Sequence, residues 1–320
     1  MTAGLEIGLN RERCYASGLN LITAEASRTD GADVIAIMTP NDSHFMFAIA
    51  ALDKGFDVIC DKPMTNTRVE AEQLHQAVVR TGRVFCLTHN YTGYTMVCQA
   101  KAMVADGQLG DIRLVQVEYV QGGRAQAGAG RKAWKEDPLR AGPSLIMGDI
   151  GTRAHNLLRF ITGLEVAHDF AGALLRFNSG ARGSFWVTQA AAGVENSLKI
   201  RVSGSLGRLE WQQEIPQALT FKPIDAPSQN RTPNGPGTLP LAARYSRIVA
   251  GHPEGFHEGF ANLNADTAEA IAARRSGQTA DPLCQHFPNS WDGLMGSRFV
   301  DSVIESSHAN GQWTDCSGRA

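Results

Sequence analysis

Along the first third of the chain, short unbroken apolar runs alternate with amphipathic stretches of helical period. That spacing predicts buried parallel strands joined by helices. Asp33-Val-Ile-Ala-Ile-Met-Thr-Pro-Asn41 has the form of an apolar strand ending in a polar turn, and Phe56-Asp-Val-Ile-Cys-Asp-Lys-Pro63 that of a second. Between them, Phe45, Ala48, Ala51 and Leu52 fall on one face of a helix predicted over 42–54, with Asn41 as its cap and Gly55 as its stop. Thr67 and Glu70 form a capping box for a helix over 68–80, whose apolar stripe is Val69, Leu74, Ala77 and Val78 and which Gly82 ends. A third buried strand over 83–90 and a helix over 96–105 follow, closed by Gly107 and Gly110. Strands and helices alternating at these lengths define an α/β parallel sheet. The first crossover brings Thr39, Pro40 and Asn41 to the same carboxyl edge as Lys62, the edge at which open parallel sheets bind ligands.

After residue 111 the pattern changes. Strands are predicted over 112–120, 173–177, 183–189, 197–203, 208–213 and 219–222. In the fourth of these, Leu198, Ile200 and Val202 alternate with Lys199, Arg201 and Ser203, as in a sheet with one face covered and one exposed. Gly204-Ser-Leu-Gly207 predicts a hairpin turn, and 225–240, rich in Pro, Gly, Ser and Asn, a loop. Helices return over 256–275 and 291–307. The expected organisation is therefore an α/β domain over 1–110 and an α+β domain over 111–320 with a largely antiparallel, open-faced sheet.

Composition narrows the function classes. A formal charge of −2 among 320 residues gives no electrostatic reason for a nucleic-acid or anionic-membrane partner. No apolar run approaches the roughly 20 residues that span a bilayer, and the first residues lack the regions of a signal peptide. Six cysteines without a C-x-x-C pair predict reduced thiols and a cytoplasmic protein. His252 and His257 stand apart from carboxylates and thiols, so no metal is expected.

The polar strand ends carry the candidate chemistry. Three motifs, Thr39-Pro40-Asn41 with His44, Asp61-Lys62-Pro63, and Gly148-Asp149-Ile-Gly151-Thr-Arg-Ala-His155, occur in this order and spacing. Together they resemble the Gfo/Idh/MocA oxidoreductases, NAD(P)-dependent sugar and cyclitol dehydrogenases. The likeness runs from about residue 33 to 315 and includes His252-Pro-Glu-Gly-Phe256 and Asp292-Gly-Leu. The resemblance implies a Rossmann domain paired with a sheet domain that mediates homo-oligomers, dimers or tetramers. By it, Thr39, Pro40, Asn41, His44, Asp61, Lys62 and Pro63 border NAD or NADP, with Asp61 in place of the usual glutamate. Lys62 is the implied acid/base for hydride transfer from a secondary alcohol of a sugar, polyol or cyclitol. A partly buried lysine has a lowered pKa and takes a hydroxyl proton near neutral pH. Asn90 is placed beside the nicotinamide or the substrate. Asp149, with Arg153 or His155, is placed on the substrate.

Three departures stand beside the matches. No G-x-G-x-x-G turn precedes the first strand, so the first domain is expected to be a truncated Rossmann-like sheet. Gly128-Ala-Gly-Arg-Lys-Ala133 has a formal likeness to that turn but no strand before it. Arg153 stands where the family has a histidine, and an arginine polarises oxygen without relaying a proton. His155, two residues on, points to another face if the segment is helical. The stretch from Leu164 to Ala173 is shorter than its counterpart. Two accounts fit: a truncated or exon-skipped dehydrogenase, or a degenerate relative acting as a scaffold or subunit without stable dinucleotide binding. Each site residue also has a structural alternative: a solvated Lys62, Asp149 as a helix cap, an exposed Arg153, and His44, His89 and His155 as packing groups.

Overall fold

The computed structural model describes residues 8, 10–121, 137–142, 146–164, 172–189, 191 and 193–316. The 128–133 segment, Trp134 and most of the 164–173 stretch lie outside them. Helix α1 (Gly18–Ala26), in a region where the sequence pattern predicted no element, is capped by Ser17, whose side chain accepts from Asn20 N. Strands β1 (Val34–Ile37), β2 (Asp57–Cys60) and β3 (Phe85–Leu87) form a parallel sheet in that order. Helices α2 (His44–Asp53) and α3 (Arg68–Thr81) cover one face of it, burying Ile35, Ile37, Val58, Cys60, Phe85 and Leu87 against Ala48, Leu52 and Leu74.

The capping box of α3 forms as its sequence dictates. Thr67 Oγ1 accepts from Glu70 N at 3.2 Å, Glu70 returns a bond to Thr67 N at 3.1 Å, and Gly82 takes the left-handed conformation at φ 61°. Two details differ from expectation. Val69 is 62% exposed, and Ala71 takes the buried place in the stripe. Asn41 does not cap α2. A 3-10 turn, Asn41–Ser43, separates it from the helix, and its amide donates instead to Ala141 O at 3.2 Å.

Helix α4 (Thr95–Ala105) leads into β4 (Ile112–Val120). Then come the short α5 (Pro138–Ala141), a π-helical turn over Met147–Gly151, and α6 (Thr152–Thr162). Strands β5 (Gly172–Arg176), β6 (Arg182–Thr188), β7 (Ser197–Gly204), β8 (Gly207–Gln212), β9 (Leu219–Pro223) and β10 (Gln229–Arg231) join β4 in a seven-stranded sheet, order β10-β9-β8-β7-β4-β6-β5. Only β4 and β6 pair in parallel; the other pairs are antiparallel. Val117, Phe185, Ile200 and Trp211 point to the buried face, which α4 and α6 cover. Trp186, Lys199 and Arg208 stand on the opposite face. There Trp186 Nε1 donates to Glu118 at 3.1 Å, and Arg201 pairs with Glu210 at 2.9 Å. Strand β10 falls in the stretch expected to be a loop, because its residues Gln229, Asn230 and Arg231 have no apolar alternation and are held by β9 alone.

After α7 (Pro240–Tyr245), α8 (Phe256–Ser276) covers the second face of the small sheet, where Cys86 meets Leu263 and Phe287. Helix α9 (Ser290–His308) serves both cores. Leu294 and Met295 pack in the small-sheet core; Phe299, Val300 and Val303 pack in the large one. At about 1.5–3 kcal/mol for each buried large apolar side chain, this helix is a principal tie between the two sheets. No helix among the described residues is long and apolar enough to cross a membrane.

Candidate active site

The carboxyl ends of the small sheet converge on Lys62. The Lys62–Pro63 peptide bond is cis. Lys62 is 7% exposed; its Nζ donates to Asp149 O at 2.9 Å and to the Asp149 carboxylate. Asp149 lies inside the π-helical turn that opens into α6, so it is not an N-cap residue, and its side chain meets Lys62. Such turns widen a helix locally and recur at functional sites.

The surrounding strand ends are tied through polar groups. Asp61 Oδ1 accepts from Lys62 N at 2.8 Å and from Thr88 Oγ1 at 3.0 Å, joining the ends of β2 and β3. His44, buried, bridges Thr39 O and Pro63 O through its two ring nitrogens, each at 2.8 Å. One imidazole thus clamps the Thr39-Pro40-Asn41 turn to the Lys62–Pro63 segment. Helix α5 lies against that turn, through Asn41 on Ala141 O and Arg140 on Asp42 at 3.0 Å.

Burial pushes the Lys62 ammonium down to about 8; Arg153 adds to the fall, while Asp149 and Asp61 oppose it. His89, 3% exposed, is held to about 3 by burial, with Arg153 and Lys62 adding to the shift, and so is neutral. Arg153 sits one helical turn beyond Asp149, and against the effect of burial the neighbouring Tyr91, Tyr119 and Asp149 raise its pKa. Lys62, Asp149 and Arg153 therefore meet in one cleft between the two sheets.

Two expected site residues lie elsewhere. His155, two residues past Arg153 and so about 200° further round the helix, stacks on Phe299 in the large-sheet core, with ring centroids 4.3 Å apart. Burial first, then Arg159 and His89, keep its pKa well below the usual histidine value. The structure thus places its ring in the core and not beside Lys62. Asn90, 5% exposed, turns its carboxamide toward α8; a Cβ at Gly259 would stand 2.7 Å from Asn90 Oδ1.

The edge of the large sheet adds polar residues that motif reasoning missed: Tyr119 on β4, Gln121, Gln189 and Gln213 just beyond the ends of β4, β6 and β8, and Asn196 just before β7. Gln189 reaches Asp149 Oδ2 at 3.2 Å. Their signal in the sequence is faint: three carboxamides, each at or directly after the last residue of a predicted strand.

Whether this edge suits a nicotinamide can be judged from its unmet polar atoms. Both amide atoms of Asn90 and the Nδ1 of His89 are buried without a hydrogen-bond partner, at the end of β3. Of these, His89 Nδ1, with the clamped Thr39-Pro40-Asn41 turn and Lys62, fits the nicotinamide end of a dinucleotide. For its diphosphate, no strand pairs with the outer edge of β1, and no glycine-rich turn precedes β1, among the described residues.

A parallel sheet with a buried lysine at its carboxyl edge, facing an acid from an antiparallel sheet domain, defines a two-part oxidoreductase fold. Residues 10–89 match the oxidoreductase family, NAD-binding Rossmann fold, and residues 101–314 match its C-terminal alpha/beta domain. The chain belongs to the Gfo/Idh/MocA oxidoreductase family. It is 40% identical to an oxidoreductase from Sinorhizobium meliloti, with a TM-score of 0.88 over 98% of this chain and 88% of that one. It is 33% identical to an inositol dehydrogenase homolog from Azotobacter vinelandii in complex with NAD+, with a TM-score of 0.91 over 98% of this chain and 85% of the other. It is also 26% identical, over 334 residues, to levoglucosan dehydrogenase of Pseudarthrobacter phenanthrenivorans, covering 88% of this chain and 79% of that protein.

Proposed function

We propose that this protein transfers a hydride between NAD or NADP and a secondary alcohol of a sugar, polyol or cyclitol. Residues 1–110 would supply Lys62 as the proton-transfer group. Residues 111–320 would supply Asp149 and Arg153 to the substrate, and the open face of the large sheet would join copies into a homo-oligomer. The observation that carries this is the buried Lys62 ammonium at the carboxyl edge of the small sheet, bonded to Asp149 from the other domain.

The cofactor, when bound, supplies the hydride acceptor; Thr39, Pro40 and Asn41 are the residues that would hold its nicotinamide end. Every other part of the chemistry belongs to the chain. Above about pH 8 the Lys62 amine is neutral and accepts the hydroxyl proton as the alcohol is oxidised. Asp149 accepts hydrogen bonds from neighbouring hydroxyls and keeps the protonated lysine in place. Arg153 cannot release a proton, so it contributes a fixed positive charge beside Lys62 and a donor for a substrate oxygen. Near-complete burial keeps bulk water from Nζ. One observation favours a second reading, a family relative without stable dinucleotide binding: no glycine-rich turn precedes β1 among the described residues.

Two measurements decide between them. Tryptophan fluorescence is titrated with NAD+ and NADP+, and oxidation is assayed on inositols and anhydro-sugars. Saturable binding with turnover is expected; no binding at millimolar dinucleotide would leave the scaffold. Lys62→Ala is expected to lower turnover by about 10²-fold or more while leaving the binding titration in place. Undiminished turnover in that variant rejects Lys62 as the acid/base.

A further inference from the structure

The large-sheet edge facing Lys62 carries a continuous chain of hydrogen bonds that the chemistry above does not use. Gln189, 8% exposed, donates from Nε2 to Asp149 Oδ2 and to Gln121 Oε1, each at 3.2 Å. Gln121 Nε2 donates to Asn196 Oδ1 at 2.5 Å, and Asn196 Nδ2 donates to Gln213 Oε1 at 2.9 Å. Tyr119 sends its hydroxyl hydrogen to Asn196 Oδ1 at 2.9 Å and meets the Tyr91 hydroxyl at 2.8 Å. The amides run head to tail across the ends of three neighbouring strand pairs.

The direction of this chain is fixed at one end by charge. A carboxylate only accepts. Asp149 therefore obliges Gln189 to present its NH2 group, and both of those hydrogens are then engaged. At the other end the Asn196 carbonyl oxygen only accepts, so Tyr119 sends its own hydrogen to it. A flipped Gln189 would set its carbonyl oxygen against the Asp149 carboxylate, so the buried amide has one favourable orientation. The constraint acts in return on Asp149: with Oδ2 bonded to Gln189, Oδ1 is the atom that meets Lys62.

We propose that Gln189 is a positioning residue: its amide pins Asp149 Oδ2, presents Oδ1 to Lys62, and thereby sets how tightly Lys62 holds its proton. This rests on the assignment of Lys62 as the acid/base. The charged groups acting on Lys62 are Asp149 and Arg153 from the π-turn and α6, and Asp61 from the end of β2; His89 beyond β3 is neutral. Gln189 is the neutral member of this set, close enough to Asp149 that a change of charge there is transmitted.

Gln189→Glu nearly preserves shape but replaces the donor with a carboxylate beside Asp149. Added negative charge stabilises the ammonium, so the Lys62 pKa is expected to rise by about one unit. The direct readout is the pH dependence of Lys62 acetylation by acetic anhydride, followed by mass spectrometry, which requires neither cofactor nor turnover. In the oxidation assay the same shift predicts about a tenfold loss of kcat below pH 8, fading toward the parent rate above pH 10. Gln189→Met, without donor or charge, serves if the glutamate variant does not fold; it removes the pin, and its Lys62 acetylation profile is expected to move too. A profile superimposable on that of the parent protein, in whichever variant folds, overturns the proposal, as does a fall in activity with the Lys62 profile unmoved. If Lys62→Ala retains turnover while Gln189→Glu still shifts the acetylation profile, the acid/base assignment fails and the positioning stands.

Discussion

The two sheets reach their common cleft by different routes. The three-stranded sheet is parallel, so the ends of β1, β2 and β3 arrive with the same polarity. It concentrates charge in Asp61 and Lys62, each fixed by backbone and side-chain bonds within the strand ends. The seven-stranded sheet is mostly antiparallel, so strand starts and strand ends alternate along its edge. It offers neutral amides and phenols, in residues such as Gln121, Gln189 and Asn196, linked to one another. Parallel strands gather a few reactive groups; antiparallel strand ends spread many directional ones. Under the proposed function, that is a division between proton transfer and the reading of a hydroxyl pattern. Helix α9, with Met295 in one core and Phe299 in the other, keeps the two halves in register.

The tie through α9 gives the largest expected effect. Phe299 stacks on His155 and meets Phe185 edge-on at 5.1 Å, wholly within the large-sheet core. Phe299→Ala is expected to cost about 3–5 kcal/mol of stability, because the cavity cannot collapse against a sheet held by six strand pairings. Urea unfolding followed by tryptophan fluorescence measures this. A single transition shifted to lower urea would mean that the sheets unfold as one body. Two separated transitions would break the comparison, leaving the small sheet standing alone.

Next in size is the pH response of the small-sheet side. The Lys62 pKa is lowered to about 8, so the amine is neutral above that value and protonated below it. Oxidation of an alcohol needs the neutral amine and should fall as pH drops through 8, by about thirtyfold at pH 6.5, or roughly 2 kcal/mol. Reduction of the ketone needs the ammonium, so its rate should fall as pH rises through the same value. A profile for kcat in both directions tests the sign. Parallel profiles in the two directions would remove Lys62 from the proton-transfer step.

How much of this was legible in the chain follows from the same contrast. Strands β1 to β3 were visible because parallel strands read as unbroken apolar runs, most fully in Phe85–Leu87, which is buried on both faces. Lys62 and Asp149 were visible because their motifs are local. The phase of α6 was less so: the π-helical turn at Met147–Gly151 sets which side chains face the cleft, giving it Arg153 and giving His155 to the core. Strand β10 was invisible, being defined by backbone pairing of polar residues with no period of their own. Asn41 carried a proper cap signal, but a 3-10 turn and a carbonyl 100 residues away claimed it. The amide chain joins four strand ends from separate parts of the sequence, so only the fold brings it together.

The smallest expected effect separates local from shared stability. The Thr67–Glu70 box satisfies N–H groups at the start of α3, on the outside of the small sheet and away from the cleft. Thr67→Ala removes one acceptor and should cost about 1 kcal/mol, read as a lower urea midpoint with an unchanged slope. Because α3 packs on α9, that loss should reach the large sheet only through global unfolding. Turnover and the Lys62 acetylation profile should stay at parent values. If instead Thr67→Ala moved the profile, the lysine would depend on helix α3 for its position, and the small sheet could no longer be described as a rigid platform for its charged strand ends.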